Sequence, residues 1–197
     1  MKLYLFDDID GFDYRLHLNE LPDERRERAM RYRQELDRKL CVAAYLLLRK
    51  ALKADYGIDE AVRFAFNEYG KPYLADYPHI FFSLSHCRHG VACAVSDCEV
   101  GADIQDIRSF SNDVALRVFC KSELERLNAS ADKEREFARL WSRKEAYLKM
   151  LGTGISDDMK KIDATLHKEI STVDYESFAV SACDLNGAQV EFERVEL

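Results

Sequence analysis

Four short groups of residues carry side chains suited to chemistry. Lys144 and Glu145 are adjacent, with Lys149 one helical turn beyond Glu145; Asp103 precedes Gln105 by two positions; Ser85 adjoins His86; and Lys71 sits within Gly70-Lys71-Pro72. Asp103 and Glu145, from distant stretches, suit a hard divalent cation, because magnesium is held by one or two carboxylates together with phosphate oxygens and water. Lys71, His86, Lys144 and Lys149 suit the phosphates themselves. A glutamate beside such a metal can also take the proton of an attacking hydroxyl. No single group is specific, but the set fits a phosphate ester or anhydride bound with magnesium.

The elements that must position these groups follow from periodicity. Phe137, Leu140, Trp141, Tyr147, Leu148 and Leu151 recur at helical spacing, so residues 137–151 read as an amphipathic helix that ends at Gly152. Lys144 points along the middle of its apolar stripe. A charge aimed at a core is unfavourable by several kcal/mol unless it is paired or serves a ligand. Two readings stay open on periodicity alone: a snorkelling or carboxylate-paired lysine, and one wall of a polar site. Upstream, Val100, Ala102 and Ile104 alternate with Gly101, Asp103 and Gln105, so a strand presents Asp103 and Gln105 together, away from its apolar face. An acidic residue inside such a strand needs a partner or a task.

The rest of the chain supplies the frame. Strands are expected at Lys2–Phe6, Val62–Phe66, Ile80–Ser85 and Val91–Ser96, and a long helical pattern runs from Pro22 to Gly57 with a break near Gln34–Asp37. Asp113–Leu127 reads as one amphipathic helix capped by Asn112, and 130–136 as a charged connection. Ser177–Asp184, a turn at Asn186-Gly187 and the last ten residues read as a β-hairpin. Gly152–Ser156 lacks the spacing and the Lys-Ser/Thr ending of a phosphate loop. A strand, a long helix and short strands occur in each half, which points to two similar α+β halves joined near Val100–Asp106.

Composition narrows the function classes. The 197 residues are 47% hydrophobic and 33% charged, enough for a real core, and 3 Pro and 8 Gly argue against long linkers. A net charge of −7 argues against nucleic acid as a bulk electrostatic partner, so an anionic ligand needs a local basic pocket. Arg25, Arg26, Arg28, Arg31, Arg33, Arg38 and Lys39 cluster in one helical stretch, as a solvated face or as that anion site. No apolar run approaches the roughly 20 residues that span a bilayer, and the opening MKLYLFDDIDGF is too short and acidic for a signal peptide, so no membrane association and a cytoplasmic location are expected. The six cysteines form no C-x-x-C pair, and those in apolar runs read as reduced core residues.

The ordered motifs G-K-P, F-S-L-S-H, V-G-A-D-I-Q, F-C-K-S-E-L and W-S-R-K-E-A-Y-L-K resemble those of the 4′-phosphopantetheinyl transferases of the surfactin-synthetase-activating class, over most of the chain. The resemblance implies an α+β, pseudo-twofold fold of two α/β halves, 1–102 and 103–197, in a monomer that binds coenzyme A and Mg2+ at the interface. It implies transfer of the 4′-phosphopantetheine arm from coenzyme A to a serine of an apo acyl or peptidyl carrier protein, releasing adenosine 3′,5′-bisphosphate. By the same resemblance Glu145, Lys144 and His86 are the catalytic set, with Glu145 as the base on the carrier serine. Arg38 (or its neighbour Lys39), Lys71, Ser85, His86, Lys144 and Lys149 contact coenzyme A, and Asp103, Gln105 and Glu145 hold the metal. Many members have a glutamate where this chain has Gln105; an amide offers an oxygen but no charge, so Gln105 is expected to ligate weakly or to yield its place to water. Two rival readings remain: a member that binds carrier or nucleotide without chemistry, and a magnesium-dependent phosphate-ester hydrolase. The carrier's docking surface is sought in Arg25–Arg33 or Asn112–Leu127.

Overall fold

Strands with apolar residues at nearly every position are buried on both faces, and such strands make the centre of this molecule. The computed structural model describes residues 1–153 and 157–197, with side chains for all of these except 157 and 158. The elements are β1 (Lys2–Phe6), α1 (Asp23–Arg31), α2 (Glu35–Tyr56), β2 (Phe64–Phe66), β3 (Pro72–Leu74), β4 (Phe81–Cys87), β5 (Gly90–Ser96), β6 (Val100–Asp106), α3 (Asn112–Val118), α4 (Lys121–Ala129), α5 (Lys133–Leu151), β7 (Ser171–Asp174), β8 (Phe178–Asp184) and β9 (Glu191–Arg194). Among the described residues the strands make one sheet in the order β4-β5-β1-β9, a second in the order β6-β8-β7, and a small β2-β3 hairpin.

Alternation within each strand stacks these pieces into four layers. Tyr4, Phe6, Val91, Cys93 and Val95 face α2 and its buried residues, including Tyr45, Leu47 and Leu48. Leu3, Leu5, Ala92 and Ala94 face the opposite way, onto Val100, Ala102, Ile104, Val180 and Ala182 of the second sheet. The outer face of that sheet receives α5 through Ala146, Met150 and Cys183. The order is therefore helix, sheet, sheet, helix, a mixed α/β fold in which the expected apolar face of β6 is the one buried between sheets.

Two features set α5 against β6. The helix is bounded by Asp132, whose side chain accepts the Arg135 amide, and by Gly152 at φ 69°, the left-handed closing position that glycine occupies without strain. Gly101 lets the two backbones touch: a Cβ there would lie 1.9 Å from the Ala146 carbonyl oxygen. Ser142 Oγ lies 2.8 Å from Ser181 Oγ beneath the same helix, a buried polar pair in which each hydroxyl has a partner.

Several expectations are corrected. The C-terminal hairpin does not form: β8 has both edges occupied by β6 and β7, and β9 instead pairs in parallel with β1. Residue 102 lies within β6, the first strand of the second sheet, and β9 joins the first sheet. The helix expected over 113–127 is two helices, α3 capped by Ser111 and α4 opened by a capping box in which Glu123 accepts the Cys120 amide. The supposed connection at 130–136 already contains the first turn of α5, and Leu151 at its end is exposed. Of the loop Gly152–Ser156, residues 154–156 lie outside the described residues.

Candidate active site

The site is built where β4, β6 and α5 converge. β6 presents Asp103, β4 presents Ser85 and His86, and α5 presents Glu145 and Lys149. Ser85 Oγ donates to Asp103 Oδ1 at 2.7 Å, and Lys149 Nζ donates to the same oxygen at 2.6 Å and to Ser85 Oγ at 2.9 Å. The neighbouring serine, Ser83, accepts the Ala102 amide at 3.0 Å and helps to fix the strand that carries Asp103.

Two oxygens in this cluster have no donor. Asp103 Oδ2 and Glu145 Oε1 are buried and unpartnered. An unpaired buried carboxylate oxygen is strongly unfavourable, and the Glu145 carboxyl is accordingly raised above its ordinary pKa, first by burial and then by the Asp103 charge, with Lys149 partly opposing. Two converging, unsatisfied carboxylate oxygens are the donor set that a hard, oxygen-seeking divalent cation satisfies, so the residues present fit magnesium.

A cleft extends from this cluster in two lobes that share Gly70, Pro72 and Leu84. One lobe, about 230 Å³, is lined by Tyr69, Lys71, Phe82, Leu148 and Lys149 with Glu145 at its wall. The other, about 270 Å³, is lined by Arg25, Arg28, Asp37, Phe64, Phe66 and His86. Arg25 stacks 4.9 Å from the Phe64 ring centre, and its buried Nε has no partner. Packing of protein around the His86 ring, then the Lys149 ammonium, hold that imidazole below its ordinary pKa. The basic lobe suits an anion, and the positive charge comes from α1.

The structure separates the sequence-derived residues into two groups. Ser85, His86, Asp103, Glu145 and Lys149 come together. Lys144 does not: it is fully buried on the other side of α5, paired at 2.6 Å with Glu123. Its ammonium also donates to the carbonyls of Val118, Met159 and Ile162 at 3.0, 2.8 and 2.7 Å, so no proton is left for a phosphate. The carboxylate-paired reading of this lysine is the one the fold adopts, and its assignment to catalysis and to coenzyme A is corrected. Glu123 belongs to a Cys120, Glu123 and Asp163 group whose ligand atoms lie within 4.8 Å of one another. Its carboxylate is committed to Lys144 and to the amides of Cys120 and Ala164, which leaves it a structural knot rather than a cation site.

Four other residues are placed differently from expectation. Arg38 donates to the Tyr32 carbonyl at 2.9 Å, and Lys39 holds the carbonyls of Ile9 and Asp10, each at 2.9 Å; neither lines the cleft. Arg25 and Arg28 take the place assigned to them, because the chain bend between α1 and α2 turns that part of the basic cluster toward β2 and β4. Lys71 lines the first lobe with its stem, while its ammonium pairs with Glu99 and reaches the carbonyls of Val100 and Met150 at 3.3 Å. Gln105 shares the face of Asp103 but lines a different cavity of about 370 Å³, with Phe110, Phe137 and Trp141.

Comparison with known proteins points to one family. A family model described as the 4′-phosphopantetheinyl transferase superfamily matches residues 99–187, and one described as 4′-phosphopantetheinyl transferase, N-terminal, matches residues 11–98. The chain is 33% identical over 150 residues to the 4′-phosphopantetheinyl transferase Sfp of Bacillus subtilis (strain 168), covering 74% of this chain and 66% of the relative. A second 4′-phosphopantetheinyl transferase of Bacillus subtilis is 35% identical over 136 residues, 68% of this chain and 61% of the relative. The 4′-phosphopantetheinyl transferase gsp of Aneurinibacillus migulanus is 32% identical over 151 residues, 75% and 63%. The chain thus spans a little under two thirds of the length of these relatives. The two family models meet between residues 98 and 99, just ahead of the strand that carries Asp103, and with this pairing of matches the chain belongs to the 4′-phosphopantetheinyl transferase superfamily.

Proposed function

We propose that this protein transfers the 4′-phosphopantetheine group from coenzyme A to a serine of an apo acyl or peptidyl carrier protein. The observation that carries the reading is the pair of buried, donor-free oxygens of Asp103 and Glu145, with Glu145 on the wall of one lobe of a cleft whose other lobe is lined by Arg25, Arg28 and His86. Arg25, Arg28 and His86 would hold the phosphorylated nucleoside end of coenzyme A, and Lys149 the pyrophosphate. Asp103 and Glu145 would hold magnesium, which when bound supplies positive charge against the pyrophosphate. Gln105 is assigned a place beside that shell, on the wall of the neighbouring cavity.

In the reaction the serine oxygen forms a bond to the phosphorus that carries pantetheine. The bond from that phosphorus to adenosine 3′,5′-bisphosphate breaks, and the serine proton passes to Glu145. Burial raises the basicity of Glu145 and so suits it to this task. Lys149 meets the charge that develops on the leaving bisphosphate, and the rest of the rate comes from positioning, as in other phosphoryl transfers. Among the described residues no helix is long and apolar enough to cross a membrane. A cytoplasmic monomer, whose sheet-and-helix units are related by a pseudo-twofold axis, completes the proposal.

Incubation with coenzyme A, Mg2+ and an apo carrier protein, followed by mass spectrometry of the carrier, tests the reading. A gain of one phosphopantetheine is expected, and Glu145→Gln should slow it by about 10²-fold or more. Bisphosphate release without a gain would make the protein a hydrolase, and binding with neither would make it a non-catalytic member.

A further inference from the structure

We propose that Lys149 is a built-in counter-ion: its ammonium occupies Asp103 in place of a divalent cation, and an anionic ligand must draw it off before the cation binds tightly. The inference rests on the reading of Asp103 and Glu145 as the cation seat. It goes beyond a phosphate-contacting role, because it assigns Lys149 a function in the ligand-free protein and couples the two ligands through one side chain.

The geometry distinguishes Lys149 from the other lysines of this region. Lys144 is sealed by Glu123 and three carbonyls, and Lys71 is held by Glu99 and two carbonyls. Lys149 makes its hydrogen bonds to Asp103 Oδ1 and Ser85 Oγ, and its side chain remains 31% exposed on the wall of the cleft. A compact charge on a four-carbon stem can therefore swing from the carboxylate to an anion in the same cleft. Asp103 and Glu145 bring two negative charges into a buried site, and the ammonium offsets one of them. A divalent cation on Asp103 would face that ammonium across a single carboxylate, at a separation where like charges repel strongly even at an intermediate effective dielectric. The cation and Lys149 thus compete, and an anion that takes Lys149 relieves the competition. By linkage, the cation must tighten anion binding to the same degree.

The test is Mn2+ binding to the metal-free protein without coenzyme A, followed by electron paramagnetic resonance. Lys149→Met keeps the apolar stem and removes the charge, and should lower the Mn2+ dissociation constant at least tenfold. Arg28→Met removes a charge from the same cleft without touching Asp103, and should change it less than threefold. Sulfate, compared with chloride at equal ionic strength, should tighten Mn2+ binding in the unsubstituted protein and not in Lys149→Met. Unchanged or weaker binding in Lys149→Met, or equal tightening in Arg28→Met, overturns the inference. If Lys149→Met does not fold, as judged by circular dichroism, the sulfate response of the unsubstituted protein decides: no tightening overturns it. Absence of Mn2+ binding in every protein overturns the cation seat and this inference with it, whereas the expected pattern without carrier modification would remove the transferase reading and leave Lys149 as assigned.

Discussion

A carboxylate buried without a donor weakens the fold that holds it, and Glu145 is such a residue. Its folded-state pKa lies above that of an unfolded glutamate, about 4.3, because of burial and the nearby Asp103. A raised carboxyl favours the folded state fully only below the unfolded pKa, and that contribution is lost as pH rises through the folded value. Glu145→Gln should therefore stabilise the metal-free protein near pH 7.5 by on the order of 1 kcal/mol, or about 2–4 °C, with the gain vanishing near pH 4. Thermal melts in a chelator at the two pH values check this, and destabilisation at pH 7.5 would mean that the carboxylate is satisfied by a partner. The same substitution is expected to slow transfer, so the residue favours function at the expense of stability. In the sequence, Glu145 and Asp103 were legible as a pair because carboxylates inside apolar patterns need a reason. Arg25 and Arg28 were not legible as the cleft-lining members of their cluster, since their selection depends on the bend between α1 and α2.

One helix, α5, serves two sites with adjacent residues. Lys144 and Glu145 differ by about 100° around the axis, enough to send the first toward α3 and α4 and the second toward β6. Periodicity located Lys144 on the buried stripe, and its alternatives were a ligand-facing and a carboxylate-paired lysine. The decision came from α4, which carries Glu123 to within 2.6 Å. The pair fixes α4 and the 3-10 turn at Asp157–Lys161 onto α5. Lys144→Met should destabilise the protein by about 3–5 kcal/mol, because Glu123 is left charged and buried. The double variant Lys144→Met with Glu123→Gln should recover most of that loss. Urea denaturation measures both; a change in the apparent affinity for coenzyme A with stability intact would instead mark Lys144 as a phosphate contact.

At the scale of the molecule, the two sheets share a buried layer, and β9 closes the first sheet after the chain has built the second. Val190 is buried in the shared layer, β9 runs parallel to β1 from Glu191 to Arg194, and the Val195 amide donates to the Leu5 carbonyl at 2.9 Å. Deleting residues 189–197 removes these ladder bonds and exposes the edge of β1, for an expected loss of roughly 3 kcal/mol. The truncated protein should still melt in one transition at lower temperature, because the layer between the sheets couples them. A calorimetric trace with an unshifted second transition would show the units to be independent. The amino-acid sequence by itself determined the main strands, the helix ends at Gly57 and Gly152, and the singling out of Asp103 and Glu145, because periodicity, glycine conformation and a carboxylate set against an apolar pattern are local physical demands. The tertiary structure alone decided which lysine faces the cleft, which arginines line it and where the last strand pairs, because those outcomes depend on partners brought close only by packing: Glu123 for Lys144, Asp103 for Lys149, and β1 for β9.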